Sequence, residues 1–293
     1  MIIDADITKL SNSDYEEIRN LLYSNLIIVL KKQTTCPATY TNFVNQIGSI
    51  ANYNQFIFTQ FGERVNPPGH FIDPQMPGRP FKNYPVQRVT GKKIDDQYTG
   101  FFATGTLDWH SNLNGLDRAD GVALQGYEGC ENTSTIWLNT NLAYNDLNFK
   151  EELLGVHCEY EYAPEVWSAG APQRQIDAMK SNSSKKSNSS KYKMWLIQQN
   201  KIGVRGIYFY TNNRCKFITE DNTLYQRLYD HMFQEKYMYH HWWEIGDIVL
   251  SDQLLTLHKR GQDDPNILSN RILHRITFKI SNENNFIAKN NKI

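Results

Sequence analysis

Long apolar runs are missing from this chain. No stretch of its 293 residues approaches the ~20 consecutive apolar residues that cross a bilayer, so no membrane span or membrane partner is expected. The first thirty residues lack a basic segment followed by an apolar core and a small-residue cleavage site, so no secretory signal is read. Cysteine is sparse. Cys36, Cys130, Cys158 and Cys215 are scattered without metal-ligand spacing, which argues against a zinc ribbon or disulfide scaffold and for free thiols in a reducing cytosol. Neither sign of charge is in excess, since Lys plus Arg and Asp plus Glu both number 31. Nothing in that balance recruits a polyanion such as DNA. A soluble cytoplasmic globular protein is the expectation.

What is present points to strands. Aromatic residues make up 13% of the chain and hydrophobic residues 40%, enough for a sizeable core in which flat rings favour β-structure. Such a length holds one large β-rich domain or two smaller ones. Ser13-Asp14-Tyr15-Glu16 reads as a capping box before a short helix to about residue 24. Leu26 to Leu30 is a continuous apolar run and reads as a buried strand. Tyr40 to Ile47 reads as a second helix, stopped by Gly48. Residues 60–100 are rich in Gly and Pro; a loop that long suits a lid over a site or a surface excursion. Short strands follow at 121–127 and 134–138, then a helix over 141–153. Ser181 to Tyr192 is a polar low-complexity stretch with a near-repeat, read as a flexible insertion that buries no apolar surface.

The chemistry concentrates in three places. His110 lies in Leu107-Asp108-Trp109-His110-Ser111-Asn112, His258 closes Asp252-Gln253-Leu254-Leu255-Thr256-Leu257-His258, and Arg271 opens Arg271-Ile272-Leu273-His274-Arg275. In a strand, residues 110 and 112 point to one side and can reach one ion, with a third ligand brought in by another strand. Imidazole and oxygen donors in that number suit ferrous iron with open positions for further ligands. The two histidines flank the 181–192 insertion, which argues for a single domain over 1–293 rather than a boundary there. Alternation puts Arg271, Leu273, Arg275 and Thr277 on one face of a strand. Facing inward, two arginines make an anion pocket; facing outward, they are ordinary surface charges. His240 and His241 are adjacent and point to opposite faces, so they do not share an ion.

Taken in chain order, Trp109-His110, Thr135-Ile136-Trp137, Trp243-Glu244-Ile245-Gly246-Asp247-Ile248, Asp252-Gln253 before His258, and Arg271-x-x-His274-Arg275 form a series. It resembles the TauD/TfdA (taurine dioxygenase-like, clavaminate synthase-like) family of iron(II)/2-oxoglutarate-dependent oxygenases, across roughly residues 15–280. The resemblance implies a mainly β protein with flanking helices around a double-stranded β-helix, or jelly-roll, core. It implies Fe(II), 2-oxoglutarate and dioxygen, with hydroxylation of a small molecule coupled to decarboxylation of 2-oxoglutarate to succinate. His110, Asn112 and His258 take the metal positions, Thr135 and Arg271 the distal carboxylate of 2-oxoglutarate, and Arg275 a substrate group, often anionic.

Asn112 departs from the family pattern, which asks for Asp or Glu. Three readings stand open. The amide oxygen ligates in place of a carboxylate; a neighbouring carboxylate, Asp108, Asp117 or Asp120, substitutes; or an exogenous anion joins the iron, as in halogenase-type variants. The first is the expectation. A fourth outcome is a non-catalytic jelly-roll binding protein, a pseudoenzyme, in which metal affinity has been lost.

Overall fold

The computed structural model describes residues 1–50, 86–94, 97–98, 107–112, 119–161, 191–211, 214–261 and 270–280. Most of the expected 60–100 lid, Asp117 and residues 181–190 of the polar insertion lie outside the described residues.

The chain opens with β1 (Ile2–Ile3), α1 (Asn12–Asn25), β2 (Ile27–Leu30), α2 (Pro37–Ile47) and β3 (Ser49–Ile50). Next come β4 (Gln87–Thr90), β5 (Lys93–Ile94), β6 (Gln97–Tyr98), β7 (Gly121–Glu128), β8 (Ser134–Asn139) and α3 (Thr140–Asp146). The middle holds β9 (His157–Glu161), β10 (Lys191–Trp195), β11 (Ile197–Gln199), β12 (Arg205–Ile207) and β13 (Arg214–Ile218). The last part is α4 (Leu224–Met232), β14 (Met238–Trp242), β15 (Ile248–Asp252), β16 (Thr256–Arg260) and β17 (Ile272–Lys279).

The larger sheet runs β1-β2-β15-β7-β17-β3, with β4 also pairing β17, and a smaller one runs β14-β8-β16. Alternation along the strands gives the larger sheet two apolar faces. Ile28, Leu30, Ala123, Ile248, Leu250, Ile276 and Phe278 pack beneath α1 and α2 against Tyr15, Ile18, Leu22, Phe43 and Val44. The opposite face, with Val29, Leu124, Val249 and Leu273, meets Trp137 of β8 and Trp243. Ile136, Leu138 and Leu257 on the far side of the smaller sheet join Tyr160 of β9, Phe217 of β13 and Leu228 of α4. The layers are therefore helices, large sheet, small sheet, and a third sheet, β10-β9-β13, with α4. The space between the first two sheets is where polar residues of both can meet.

Local chemistry shifts several predicted boundaries. The capping box of α1 is Ser11 with Asp14, two residues upstream of the predicted start: the Ser11 hydroxyl accepts from Asp14 N, and Asp14 Oδ2 accepts from Ser11 N at 2.7 Å. α2 begins at Pro37 rather than Tyr40, because proline's fixed φ suits a first helical turn, where its missing N–H costs nothing. The helix predicted over 141–153 stops at Asp146, where Leu147 turns extended and buries its side chain; only a 3₁₀ turn forms at Lys150–Leu153. Lys191 and Tyr192, read as the end of the polar insertion, are the first residues of β10 and pair with β9. The turn before β15 requires Gly246: its φ is +87°, and a Cβ there would lie 2.5 Å from the Gln33 carbonyl oxygen. No described helix is long and apolar enough to cross a membrane.

Candidate functional site

The backbone itself brings the two histidines together. His110 N donates to His258 O at 3.0 Å and His258 N donates to His110 O at 2.9 Å, an isolated antiparallel bridge at the edge of β16. Residues paired this way project their side chains to one side of the ladder, and the imidazole centroids stand 4.2 Å apart. His258 lies opposite Trp137 in the β16–β8 register, with its ring stacked 6.2 Å from the indole. The pair therefore sits on the inner face of the small sheet, toward the large one.

Electrostatics keep both rings neutral. Burial pushes His110 down to about 4, with Arg275 adding to the effect. His258 is pushed well below its ordinary value by burial, then by His110 and Arg275. The His110 Nδ1–H donates to the Asp108 carbonyl at 2.7 Å, which leaves the Nε2 lone pair for an acceptor role. A carbonyl fixing one ring nitrogen so that the other can ligate is a common outer-shell arrangement in metal sites.

Asn112 stands beside them, though not by strand alternation. Its segment leaves the bridge in a turn held by Gln253. Ser111 Oγ donates to the Gln253 carbonyl at 2.7 Å, and Asn112 N donates to Gln253 Oε1 at 2.7 Å. The Asn112 amide also makes three side-chain contacts: Nδ2 lies 3.2 Å from Gln253 Oε1 and 3.1 Å from His258 Nε2, and Oδ1 accepts from Arg275 Nη1 at 2.6 Å. The atom turned toward His258 is thus the amide nitrogen. That orientation differs from the one an oxygen ligand at position 112 would need.

Neither described alternative carboxylate takes its place. Asp108 accepts from its neighbour Trp109 N at 2.8 Å and from Thr211 Oγ1 at 2.9 Å. Asp120 Oδ2 is bonded to Ile280 N at 2.9 Å, beside the β7–β17 pairing. Among the described residues, no group of three or more His, Cys, Asp or Glu side chains converges. Among the described residues, the donors fit a divalent ion at two positions, His110 and His258, and no third oxygen converges with them.

Thr135 and Arg271 lie nearby between the sheets, with Thr135 paired to Arg260, two residues along β16 from His258. Thr135 Oγ1 accepts from Trp243 Nε1 at 3.0 Å, so its own proton remains to be donated. Buried Arg271 lies with Nη1 3.5 Å from the carbonyl of Ser134, the residue before Thr135. Arg275, two alternations along from Arg271, also faces inward and is half-buried, with its Nη1 on Asn112 Oδ1. Of the two orientations left open for this face, the inward one is observed.

Sequence reasoning missed three contributors. Gln253 was visible only as part of a motif, yet it orients the whole 111–112 turn. Trp243 was legible as an aromatic of the core but not as the donor to Thr135. Asp247, fully buried, gathers Lys31 Nζ at 2.6 Å and Lys32 N at 3.0 Å, with His241 Nε2 3.1 Å away. A Gly-Asp turn after an aromatic strand was its only signal. His240 instead meets Glu235 on the surface at 2.6 Å, so the two adjacent histidines face opposite ways as predicted.

The model described as taurine catabolism dioxygenase TauD, TfdA family matches residues 3–277. The chain belongs to that family. Solved structures carry the same fold at low sequence identity. A taurine dioxygenase from Burkholderia xenovorans superposes with a TM-score of 0.64 at 18% identity, covering 94% of this chain and 83% of the other. A putative alpha-ketoglutarate-dependent 2,4-D dioxygenase from the same organism gives 0.62 at 16%, covering 94% and 92%. AAD-2 in complex with Mn(II) and N-oxalylglycine gives 0.61 at 14%, again covering 94% and 92%. No curated protein sequence matches significantly. The TauD-type jelly roll with few helices, expected from the sequence, is the fold of this chain.

Proposed function

We propose that this TauD-family chain is an Fe(II)/2-oxoglutarate-dependent dioxygenase that hydroxylates a small molecule, with decarboxylation of 2-oxoglutarate to succinate. One observation carries the reading: two neutral, main-chain-bridged histidines lie between the two sheets with a buried arginine and a threonine whose hydroxyl oxygen accepts from Trp243. His110 and His258 would hold the ion. Arg271 and Thr135 would receive the far carboxylate of the cosubstrate, a guanidinium fork and a hydroxyl being matched donors for it. The bound metal, 2-oxoglutarate and dioxygen together supply the oxidising power; the protein orients them and keeps water out between two apolar sheets. A fold relative binds Mn(II) and N-oxalylglycine, and the proposal extends that class of ligand to this chain.

Anaerobic addition of Fe(II) and 2-oxoglutarate should give a weak visible charge-transfer band. Arg271→Met should raise the 2-oxoglutarate concentration needed for that band at least tenfold, a loss of about 1.4 kcal/mol or more. Absence of the band together with failure to retain iron would overturn the enzyme reading. The lack of a convergent carboxylate among the described residues favours one competing reading, a non-catalytic jelly roll that binds the 2-oxo acid. It predicts 2-oxoglutarate binding by calorimetry in the presence of EDTA, with no band.

A further inference from the structure

We infer that Arg275 and Gln253 lock the Asn112 amide so that position 112 presents a hydrogen-bond donor, not a ligand, to any metal ion held by His110 and His258. The inference rests on the oxygenase reading only for the presence of an ion. Amide oxygen and nitrogen are distinguished by their partners, and here both ends have partners of fixed polarity. Guanidinium has five N–H groups and no acceptor, so Arg275 Nη1, 2.6 Å away, can meet only the oxygen. At the other end, Gln253 Oε1 already accepts from Asn112 N at 2.7 Å while Gln253 Nε2 reaches Ser251 Oγ at 3.3 Å. That fixes the Gln253 oxygen toward Asn112, where at 3.2 Å it can meet only the Asn112 nitrogen.

Turning the amide over would set N–H against N–H at Arg275 and oxygen against oxygen at Gln253. Two charge-assisted or buried hydrogen bonds would be lost at once. The nitrogen consequently points at His258 Nε2, 3.1 Å away, where it competes for the lone pair a metal needs. An ion entering the site would gain two imidazoles and displace that contact. Asn112 then offers its N–H to whichever further ligand the ion carries. Arg275 acts here as a positioning residue for Asn112, a role distinct from gripping a substrate anion.

Mn(II) binding to the full chain, measured by calorimetry and by the loss of the free-ion EPR signal, tests this. Asn112→Ala is expected to bind Mn(II) within threefold of the native protein, or more tightly. Asn112→Asp, which converts the locked donor into a carboxylate paired with Arg275, is expected to bind at least tenfold more tightly. His110→Ala and His258→Ala are each expected to lose at least tenfold. A tenfold or greater loss in Asn112→Ala at an unchanged thermal midpoint would overturn the inference. So would an Asn112→Asp protein with no gain, and that variant decides should Asn112→Ala fail to fold. Were the native chain to bind no Mn(II), binding by Asn112→Asp would still uphold the inference and its absence overturn it. Failure of 2-oxoglutarate to bind the Mn(II)-loaded protein removes the oxygenase reading and leaves the Mn(II) series intact.

Discussion

Lowering the pH from 7 to 5 should destabilise this protein markedly before its carboxylates titrate, because three buried histidines are held neutral. His110 is pushed to about 4 by burial and by Arg275, and His274 to about 3 by burial and by Arg88. His258 is shifted in the same direction. In the unfolded chain each titrates near the ordinary value of about 6.5. A histidine whose folded value is depressed costs nothing above the unfolded value. Below it the unfolded state takes up protons that the native state refuses, so stability falls as pH drops from 6.5 toward the folded value. Integrating that difference gives about 2 kcal/mol lost at pH 5 for each of His110 and His274. The sum, about 4 kcal/mol, is a large share of the 5–15 kcal/mol typical of a folded domain.

The assay is urea unfolding of the metal-free protein followed by tryptophan fluorescence, at half-unit steps of pH. With a slope of about 3 kcal/mol per molar urea, the midpoint should fall by on the order of 1 M between pH 7 and pH 5. Saturating Mn(II) should raise the midpoint at each pH without reducing the loss, since a ligated imidazole refuses protons in the native state as the buried one already does. A midpoint that stays level over this interval would refute the reasoning. It would mean that these rings take up protons in the native state as easily as in the unfolded one.

Two further perturbations probe the scaffold behind the site. Gly246→Ala should destabilise by about 2 kcal/mol or more in thermal or urea unfolding, since φ is +87° and the new Cβ would meet the Gln33 carbonyl at 2.5 Å; a change below half that value would contradict it. Asp247→Asn should cost about 2–3 kcal/mol, because Lys31 Nζ, Lys32 N and the nearby His241 lose a buried carboxylate partner. An Asn variant as stable as the native chain would show that the amide satisfies all three.

How much of the site could be read in advance follows from how local each determinant is. That Arg271 and Arg275 share a face is a matter of period two and can be read in advance; that the face points inward depends on what packs against the sheet and could not. The strands at 26–30, 121–127 and 134–138 announce themselves by composition, since apolar and β-branched runs bounded by turn residues have few other uses. Helix boundaries were less legible. α3 ends where Leu147 finds a burial site in the core around Leu138 and Tyr208, and nothing within 141–153 states that such a site exists.

The amino-acid sequence by itself determined the candidates: two histidines, an arginine and a threonine in a spacing that resembles one family, with Asn112 where a carboxylate is customary. Which atom Asn112 turns toward His258 was decided only by tertiary structure. Its amide is symmetrical in shape and differs only in hydrogen-bonding polarity, so its orientation belongs to its partners. Those partners, Gln253 and Arg275, stand 141 and 163 residues along the chain. The same holds for Asp108, a plausible substitute ligand by alternation until Thr211, 103 residues away, engages its carboxylate. Side-chain chemistry can be read from the sequence, whereas the commitment of each lone pair and proton requires the folded neighbours.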